Sequence, residues 1–516
     1  MVQCQTGHTI PDDTVSALIL HPDDDVAVVL GPIRNGARVR TDAGIVLAVS
    51  DVPAGHKIAL RAVMIGTPVR KYGEIIGYAT RGIAQGEWVH THNLAAGIAS
   101  RPEVVRRAGR QGPADAPART FAGYRRKDGR AGTRNTLAVV STVNCSADAA
   151  HILAARARTE IGPSVSGLDD IFAVTHKGGC GVPIGGTSYE IMVRSLSGMI
   201  THPNVAAAVV VGLGCEVVDS VPLLDAAERA GKPCVAIGIQ EAGGVGPAVR
   251  RGMDVVAALA AEAGTARRTE CPLSDLVVGT NCGGSDAYSG ITANPLLGRV
   301  GEMVAAAGGG WVLAESPETR GAEHILAARA VSGDVADRLL AVMDRWDAYT
   351  AMHGATVDNN PAPGNKEGGI TTIYEKALGA VMKGGELPLR RVVEYAEPVG
   401  APGLTFMDTP GLDDVSVTGL VAGGCNLIAF TTGRGSCLAI KPVPVIKIAT
   451  TTELYRRMTD DMDFDAGVLL GDVQQDCARD RLLELIIAVA SGARTVGEAQ
   501  GLGEHTFAPW DQGPTL

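Results

Sequence analysis

Residues 275–295 read DLVVGTNCGGSDAYSGITANP, and the reading of this stretch decides the fold. Its first half is short, apolar and rich in β-branched residues, which predicts a strand buried on both faces of a parallel sheet. Its second half is broken by glycines and crowded with Cys282, Ser285, Asp286, Ser289, Thr292 and Asn294. Such a turn leaves the carboxyl end of its strand, where open α/β sheets bind their ligands. One turn of this kind is equally a surface loop that caps the next helix. The chain, however, repeats it.

The apolar runs 136–143, 171–175 and 206–211 end at Asn144-Cys145, at HKGGCG (176–181) and at GLGCE (212–216). Helical patterns lie between them, and Cys145, Cys180 and Cys215 follow one another at two equal intervals of 35 residues. One βαβ step takes roughly 30 residues or more. Three consecutive strands therefore bring a cysteine to the same edge of a parallel sheet with right-handed crossovers. Further strands are expected at 310–314, 404–408, 427–431 and 445–449, with helices over 321–331, 333–350 and 477–490.

With 516 residues the chain exceeds one ordinary core. Aromatic residues make up only 4% and there are 66 glycines, so small aliphatic side chains fill the cores and tight turns are frequent. A net charge of -10 argues against a nucleic-acid partner. The longest aliphatic run, 205–213, is too short to cross a bilayer, so no membrane partner and a cytoplasmic location are expected. Ten cysteines without a C-x-x-C pair read as thiols or metal ligands rather than a disulfide frame.

Short β-type runs at 16–20, 26–30, 44–50, 57–60, 68–70 and 88–90 predict a small β domain over 1–97. A linker rich in Ala, Pro, Arg and Gly follows at 98–120. One α/β domain is expected over 121–268 and a second over 269–516, the boundary falling at Arg267-Arg268.

Cys145, Cys180, Cys215 and Cys282 all close predicted strands, and with Glu216 they form the candidate metal ligands. Thiolates beside His176 or Glu216 suit a borderline divalent ion such as Fe2+, or an iron–sulfur cluster. Taken singly, each thiol is equally a small buried hydrophobe. His176, between a strand and a glycine turn, is a candidate ligand or general base. Arg434, between Gly433 and Gly435, presents a guanidinium suited to gripping a carboxylate through two hydrogen bonds. Lys366 offers an amine to an anion or to a C–H proton. His90 and His92 sit one residue apart near a strand end, on one face. Neither a P-loop nor a G-x-G-x-x-G stands at a strand-to-helix junction, so the usual nucleotide signature is missing.

Together GHK (55–57), KYG (71–73), DGRAGTRN (128–135), TVNCS (142–146), GLGCE, CGGSDAYSGITANP (282–295), NPAPGNKEGG (360–369), TTGRG (431–435) and PVIKIAT (444–450) resemble the altronate and galactarate dehydratases over nearly the whole chain. The resemblance implies an α/β fold in which a small N-terminal SAF-like β-clip domain precedes two α/β domains with largely parallel sheets. It implies a hydro-lyase that converts a sugar acid to a 2-keto-3-deoxy acid with a divalent metal, Fe2+ or Mn2+. HTHN (90–93) and GGITTIYEKALG (368–379) are closer to the altronate branch. One departure stands out: Ser436-Cys437-Leu438 replaces the Thr-Pro-Tyr of both branches.

On this reading the base at C2 is His176 or Lys366, and the acid for the C3 hydroxyl is His56 or His92. Arg434 holds the carboxylate, while Ser285, Asp286, Thr292, Asn294 and Asn365 contact the substrate. All ligands meet around one cation. The expected partners are a small sugar acid and a second copy of the chain, as a homodimer. A galactarate dehydratase, a sulfolactate-type lyase and a non-catalytic sugar-acid-binding protein are the alternatives.

Overall fold

The computed structural model describes residues 15–97, 104–106, 109, 119–400 and 402–512, so most of the expected linker lies outside the described residues. Residues 15–97 form two small sheets, one of six strands and one of three. The strands are short because a turn interrupts them every few residues, as the β-type runs imply. Arg38–Thr41, Glu74–Ala79 and Leu94–Ala95 are strands without a sequence-stretch expectation of their own. Val69, Ile76 and Leu94 belong to the same buried cluster as Leu297, Ala377 and Leu378. The β domain is thus continuous in core with the last domain rather than tethered beside it.

The second unit is framed by the antiparallel pair Thr120–Arg125 and Thr269–Pro272. Inside it lies a parallel sheet in the order Asp170–Val174, Thr136–Ser141, Val205–Gly212, Cys234–Gly238. All six residues of Thr136–Ser141 are buried, because helices cover both faces. Helices Ala147–Glu160 and Val245–Ala263 pack through Leu153, Ala154, Val256 and Ala260 on one side. On the other, Thr187–Thr201 lies against Asp413–Ala422 of the last domain, so closely that a Cβ on Gly198 would come within 2.1 Å of the Ala422 carbonyl oxygen.

The last domain holds seven parallel strands, ordered Leu389–Val393, Gly403–Met407, Gly310–Leu313, Val277–Cys282, Leu427–Thr432, Val445–Ala449, Phe464–Asp465. Phe406, Phe430 and Trp311 are fully enclosed there, each contributing about 1.5–3 kcal/mol through burial. The strand order reverses between Val277–Cys282, the first strand of the domain, and Leu427–Thr432, the fifth. In the second domain it reverses between Thr136–Ser141 and Val205–Gly212, the first and third. Crevices at these reversals are where open α/β sheets take ligands.

Candidate active site

At the reversal in the seven-stranded sheet, strand Val277–Cys282 ends in a fully buried thiol. The Cys282 N–H donates to the Glu315 carboxylate at 3.1 Å, and its Sγ lies 3.5 Å from Glu315 Oε2 and 3.8 Å from Glu318 Oε2. Glu315 reaches this position from the end of the neighbouring strand, its backbone at φ 66°, a left-handed conformation uncommon outside glycine. Among the described residues Cys282, Glu315 and Glu318 are the one group of three or more donors close enough to share a metal ion.

Two buried lysines face the group. Lys383 Nζ donates to Cys282 Sγ at 2.8 Å and to Glu315 Oε2 at 2.5 Å, and Lys376 Nζ donates to Glu318 Oε1 at 2.7 Å and Asn360 Oδ1 at 2.9 Å. Burial opposes the Lys383 charge, but the adjoining Cys282 and Glu315 outweigh it and hold the ammonium protonated. Burial pushes the Cys282 thiol up to about 12, with Glu315 adding to the effect. Asp413 completes the cluster: its carboxylate accepts from Asn281 at 3.2 Å, and burial followed by the charges of Glu315 and Glu318 pushes it up to about 8. A Cβ on Gly283 would lie 2.1 Å from Asp413 Oδ2, so bare backbone is required where that carboxyl leans over the turn.

One thiol with two carboxylates is a mixed soft and hard donor set that fits a borderline divalent ion such as Fe2+ or Mn2+. A bound cation would reverse the local acid–base order by displacing the thiol proton.

The turn after Cys282 is built from inside. Asp286 accepts from the Ser289 N–H and from Thr450 Oγ1, and burial lifts its carboxyl to about 6 against those bonds. Thr292 Oγ1 donates to the Thr450 carbonyl, Asn294 bridges the Gly379 carbonyl and Thr431 Oγ1, and Asn365 donates to the Ser285 carbonyl while capping its own helix. These three hold the loops in place with protein partners. Ser285 Oγ is buried without one. Arg434 sits on the rim at 48% exposure, 3.2 Å from Glu367 Oε2, and Lys366 lies on the same short helix, Pro363–Glu367.

The β domain docks onto these loops. Lys57 and Lys71, from the GHK and KYG motifs, both bind Glu375, at 2.8 and 2.9 Å, with all three side chains at most 1% exposed. Lys57 also donates to the Gly369 carbonyl at 2.7 Å, and Tyr288 O–H to the Val29 carbonyl at 3.3 Å. Burial alone would raise the Glu375 carboxyl; the two ammonium groups outweigh it and hold it at about 2. A narrow pocket lined by Lys71, Tyr72, Ser285, Glu375 and Lys376 runs from this junction to Cys282.

Three expectations are corrected. The ligands do not gather around one cation: Cys282 belongs to the seven-stranded sheet, whereas Cys145, Cys180, Cys215 and Glu216 stand on the loops of the four-stranded one. Glu216 is occupied there by Thr142 Oγ1 at 2.7 Å and by the N–H groups of Gly214 and Cys215. His176 goes with the second group, since Nε2 donates to the Ser141 carbonyl and the ring lines a cavity of about 650 Å³ shared with Cys180. His56 has both ring nitrogens engaged, by the Glu367 carbonyl at 3.1 Å and Trp88 Nε1 at 3.1 Å, which fixes a neutral tautomer with no lone pair or proton to spare. His92 is exposed and packs on Trp88, the ring on which His90 stacks.

Glu315, Glu318, Lys376, Lys383 and Asp413 were not foreseen as site residues. The first two follow a strand end, the same signal that marked Cys282, and Lys376 lies within GGITTIYEKALG. Lys383, past a helix end, carries no local signal.

Family models described as the altronate/galactarate dehydratase SAF domain, the second domain of D-galactarate dehydratase/altronate hydrolase, and the C-terminal part of D-galactarate/altronate dehydratase match residues 15–97, 123–264 and 273–515. The chain is 35% identical to altronate dehydratase of Bacillus subtilis (strain 168), over 92% of this chain and 95% of that protein. It is 33% identical to galactarate dehydratase (L-threo-forming) of Escherichia coli (strain K12), over 94% of each. The beta subunit of (2R)-sulfolactate sulfo-lyase from Chromohalobacter salexigens is 34% identical over 75% of this chain and 97% of its own length.

Proposed function

The chain belongs to the D-galactarate/altronate dehydratase family, and from that premise we propose that it removes water from a six-carbon sugar acid, D-altronate, to give a 2-keto-3-deoxy acid. The observation that carries this reading is the buried Cys282, Glu315, Glu318 group at the sheet reversal, with Arg434 on the rim above it.

Cys282, Glu315 and Glu318 would hold a divalent ion. When bound, such an ion supplies Lewis-acid polarisation of the substrate's carboxylate and hydroxyl oxygens. The rest falls to side chains. Arg434 grips the carboxylate, replacing its exposed pairing with Glu367. A proton α to a carboxylate is weakly acidic, so the negative charge that develops on its removal needs fixed positive groups nearby; Lys376 and Lys383 provide them. Lys366, beside Arg434, is the base at C2 and replaces His176 in that role because His176 stands in the other domain. Asp413, half-buried beside the Cys282 group and held by Asn281, donates to the departing C3 hydroxyl.

The test is a panel of altronate, galactarate and sulfolactate with the purified protein, anaerobic and supplied with Fe2+ or Mn2+. Formation of 2-keto-3-deoxy product from altronate, lost in Cys282→Ser and Glu318→Gln, supports the proposal. Sulfite release from sulfolactate with no keto-deoxy acid from either sugar acid would replace it with the sulfo-lyase reading. Melting raised by altronate without its consumption would point to a binding protein.

A further inference from the structure

We propose that Cys145, Cys180 and Cys215 seat an iron–sulfur cluster of the four-iron type, with one iron left free of protein thiolate. This site lies in the second domain and does not depend on the chemistry assigned to Cys282.

Free cysteine is among the most buried residue types, yet these three are all exposed, while Cys271, Cys282 and Cys425 are buried. The exposed thiols leave the carboxyl ends of three adjoining strands. Cys180 follows Asp170–Val174, Cys145 follows Thr136–Ser141 and Cys215 follows Val205–Gly212, and these strands lie side by side in that order. Neighbouring strands are about 4.8 Å apart, and the crevice where the order reverses opens between the second and third of them.

The loops are locked together directly beside the thiols. The Asn144 N–H donates to the Gly178 carbonyl at 3.1 Å, and the Val217 and Val218 N–H groups donate to the Gly179 carbonyl at 3.1 and 3.2 Å. Gly179 has φ 96°, and a Cβ there would lie 2.2 Å from the Thr142 carbonyl oxygen, so the knot closes only with glycine at its centre. Each cysteine is within two residues of this knot. Glu216, which might have served as an oxygen ligand, is bound inward to Thr142 and to backbone N–H groups, whereas the thiols carry no strong partner, Cys215 Sγ accepting only a long 3.7 Å contact from the Gln240 amide. Three thiolates of one chain favour a thiophilic iron cluster over a hard cation.

Clusters of this type take four cysteines when fully ligated. Cys180 borders the cavity of about 650 Å³ together with Asn144, His151, His176, Lys177 and His505. Among the described residues Cys180 alone of the cysteines lines it, Cys145 and Cys215 standing outside its wall. The fourth iron would face it and accept an oxygen ligand from a small anionic hydroxy acid, with His176 Nδ1, buried and without a partner, pointing to a polar occupant.

The experiment uses the full chain purified anaerobically from iron-replete cells, then reconstituted with iron and sulfide. The expected result is about four iron and four acid-labile sulfide per chain, a broad visible absorbance, and an electron paramagnetic resonance signal on reduction. Treatment with ferricyanide should remove one electron and release one Fe2+, leaving a three-iron signal. Cys145→Ser, Cys180→Ser and Cys215→Ser should each lose the sulfide and the signals with unchanged melting of the apoprotein, since the thiols are exposed. Cys282→Ser should abolish turnover and keep the cluster, which separates this inference from the reading of the last domain. Iron bound without sulfide, a cluster that survives the triple serine variant, or no cluster after reconstitution would each overturn it.

Discussion

Glu375→Gln isolates what holds the β domain on the catalytic one. The Glu375 carboxylate accepts from Lys57 at 2.8 and 3.1 Å, from Lys71 at 2.9 Å and from the Thr371 N–H at 2.9 Å, all beyond the reach of water. Glutamine keeps the shape, so no cavity forms, but it leaves two enclosed ammonium groups without an anion. Breaking a buried ion pair from one side costs about 3–5 kcal/mol. At about 1.4 kcal/mol per tenfold, the local opening equilibrium should rise by roughly a hundred- to several-thousand-fold. Hydrogen exchange should show it in Lys57–Ala59, Pro68–Lys71 and Ile373–Val381, with little change in Thr136–Ser141. Replacing all three side chains together, as Lys57→Met, Lys71→Met and Glu375→Leu, should restore most of the protection, because an apolar core no longer carries the desolvation cost. Exchange in Glu375→Gln within about tenfold of the parent would refute the assignment of the triad as the clasp.

Acid should act on the same clasp: Glu375 is held at about 2, below its ordinary value of 4.5, so the unfolded chain binds more protons between those values. Its stabilisation is therefore complete above about pH 4.5 and is lost as pH falls towards 2, read as declining urea midpoints. Gly433→Ala should be poorly tolerated, because a Cβ there would lie 2.1 Å from the Asp286 carboxyl carbon; a drop in melting temperature together with loss of turnover is expected. Arg434→Lys should raise KM about tenfold or more with a smaller effect on kcat, since an ammonium cannot reproduce the two-pronged grip. A chelator should abolish dehydration, and re-addition of Fe2+ should restore it in the parent but not in Glu318→Gln.

The strands were legible because a parallel strand buried on both faces leaves an unbroken aliphatic run, as in TLAVVS at Thr136–Ser141. Two edge strands were not, although a third, Asp170–Val174, was. Leu389–Val393, reading LRRVV, carries two arginines, and Cys234–Gly238 has only one fully buried residue, so neither shows that signature. The candidate ligands divided for a different reason. Spacing along the chain shows which residues reach a strand end but not which sheet the strand joins. Cys282 and Cys215 obey the same local rule and still end in different domains. Lys57 and Lys71 look like ordinary surface lysines of a small β domain until the last domain supplies Glu375.

The two strand-order reversals also explain why the site chemistry falls into two kinds. In the seven-stranded sheet the donors are enclosed, and each lysine has a counter-charge: Lys383 with Glu315, Lys376 with Glu318. Buried charge must be paired, and an entering divalent ion would have to displace the thiol proton or an ammonium contact. That requirement favours an ion bound by exchange, responsive to pH and to reductant that keeps the thiol free. At the four-stranded edge the thiols are exposed, and among the described residues no ammonium group is bonded to them; Cys215 Sγ accepts from the Gln240 side-chain N–H at 3.7 Å, so a cofactor attaching there would displace an amide contact rather than a charge. Protein-held charge of both signs at one reversal and exposed sulfur at the other would suit two different metal chemistries.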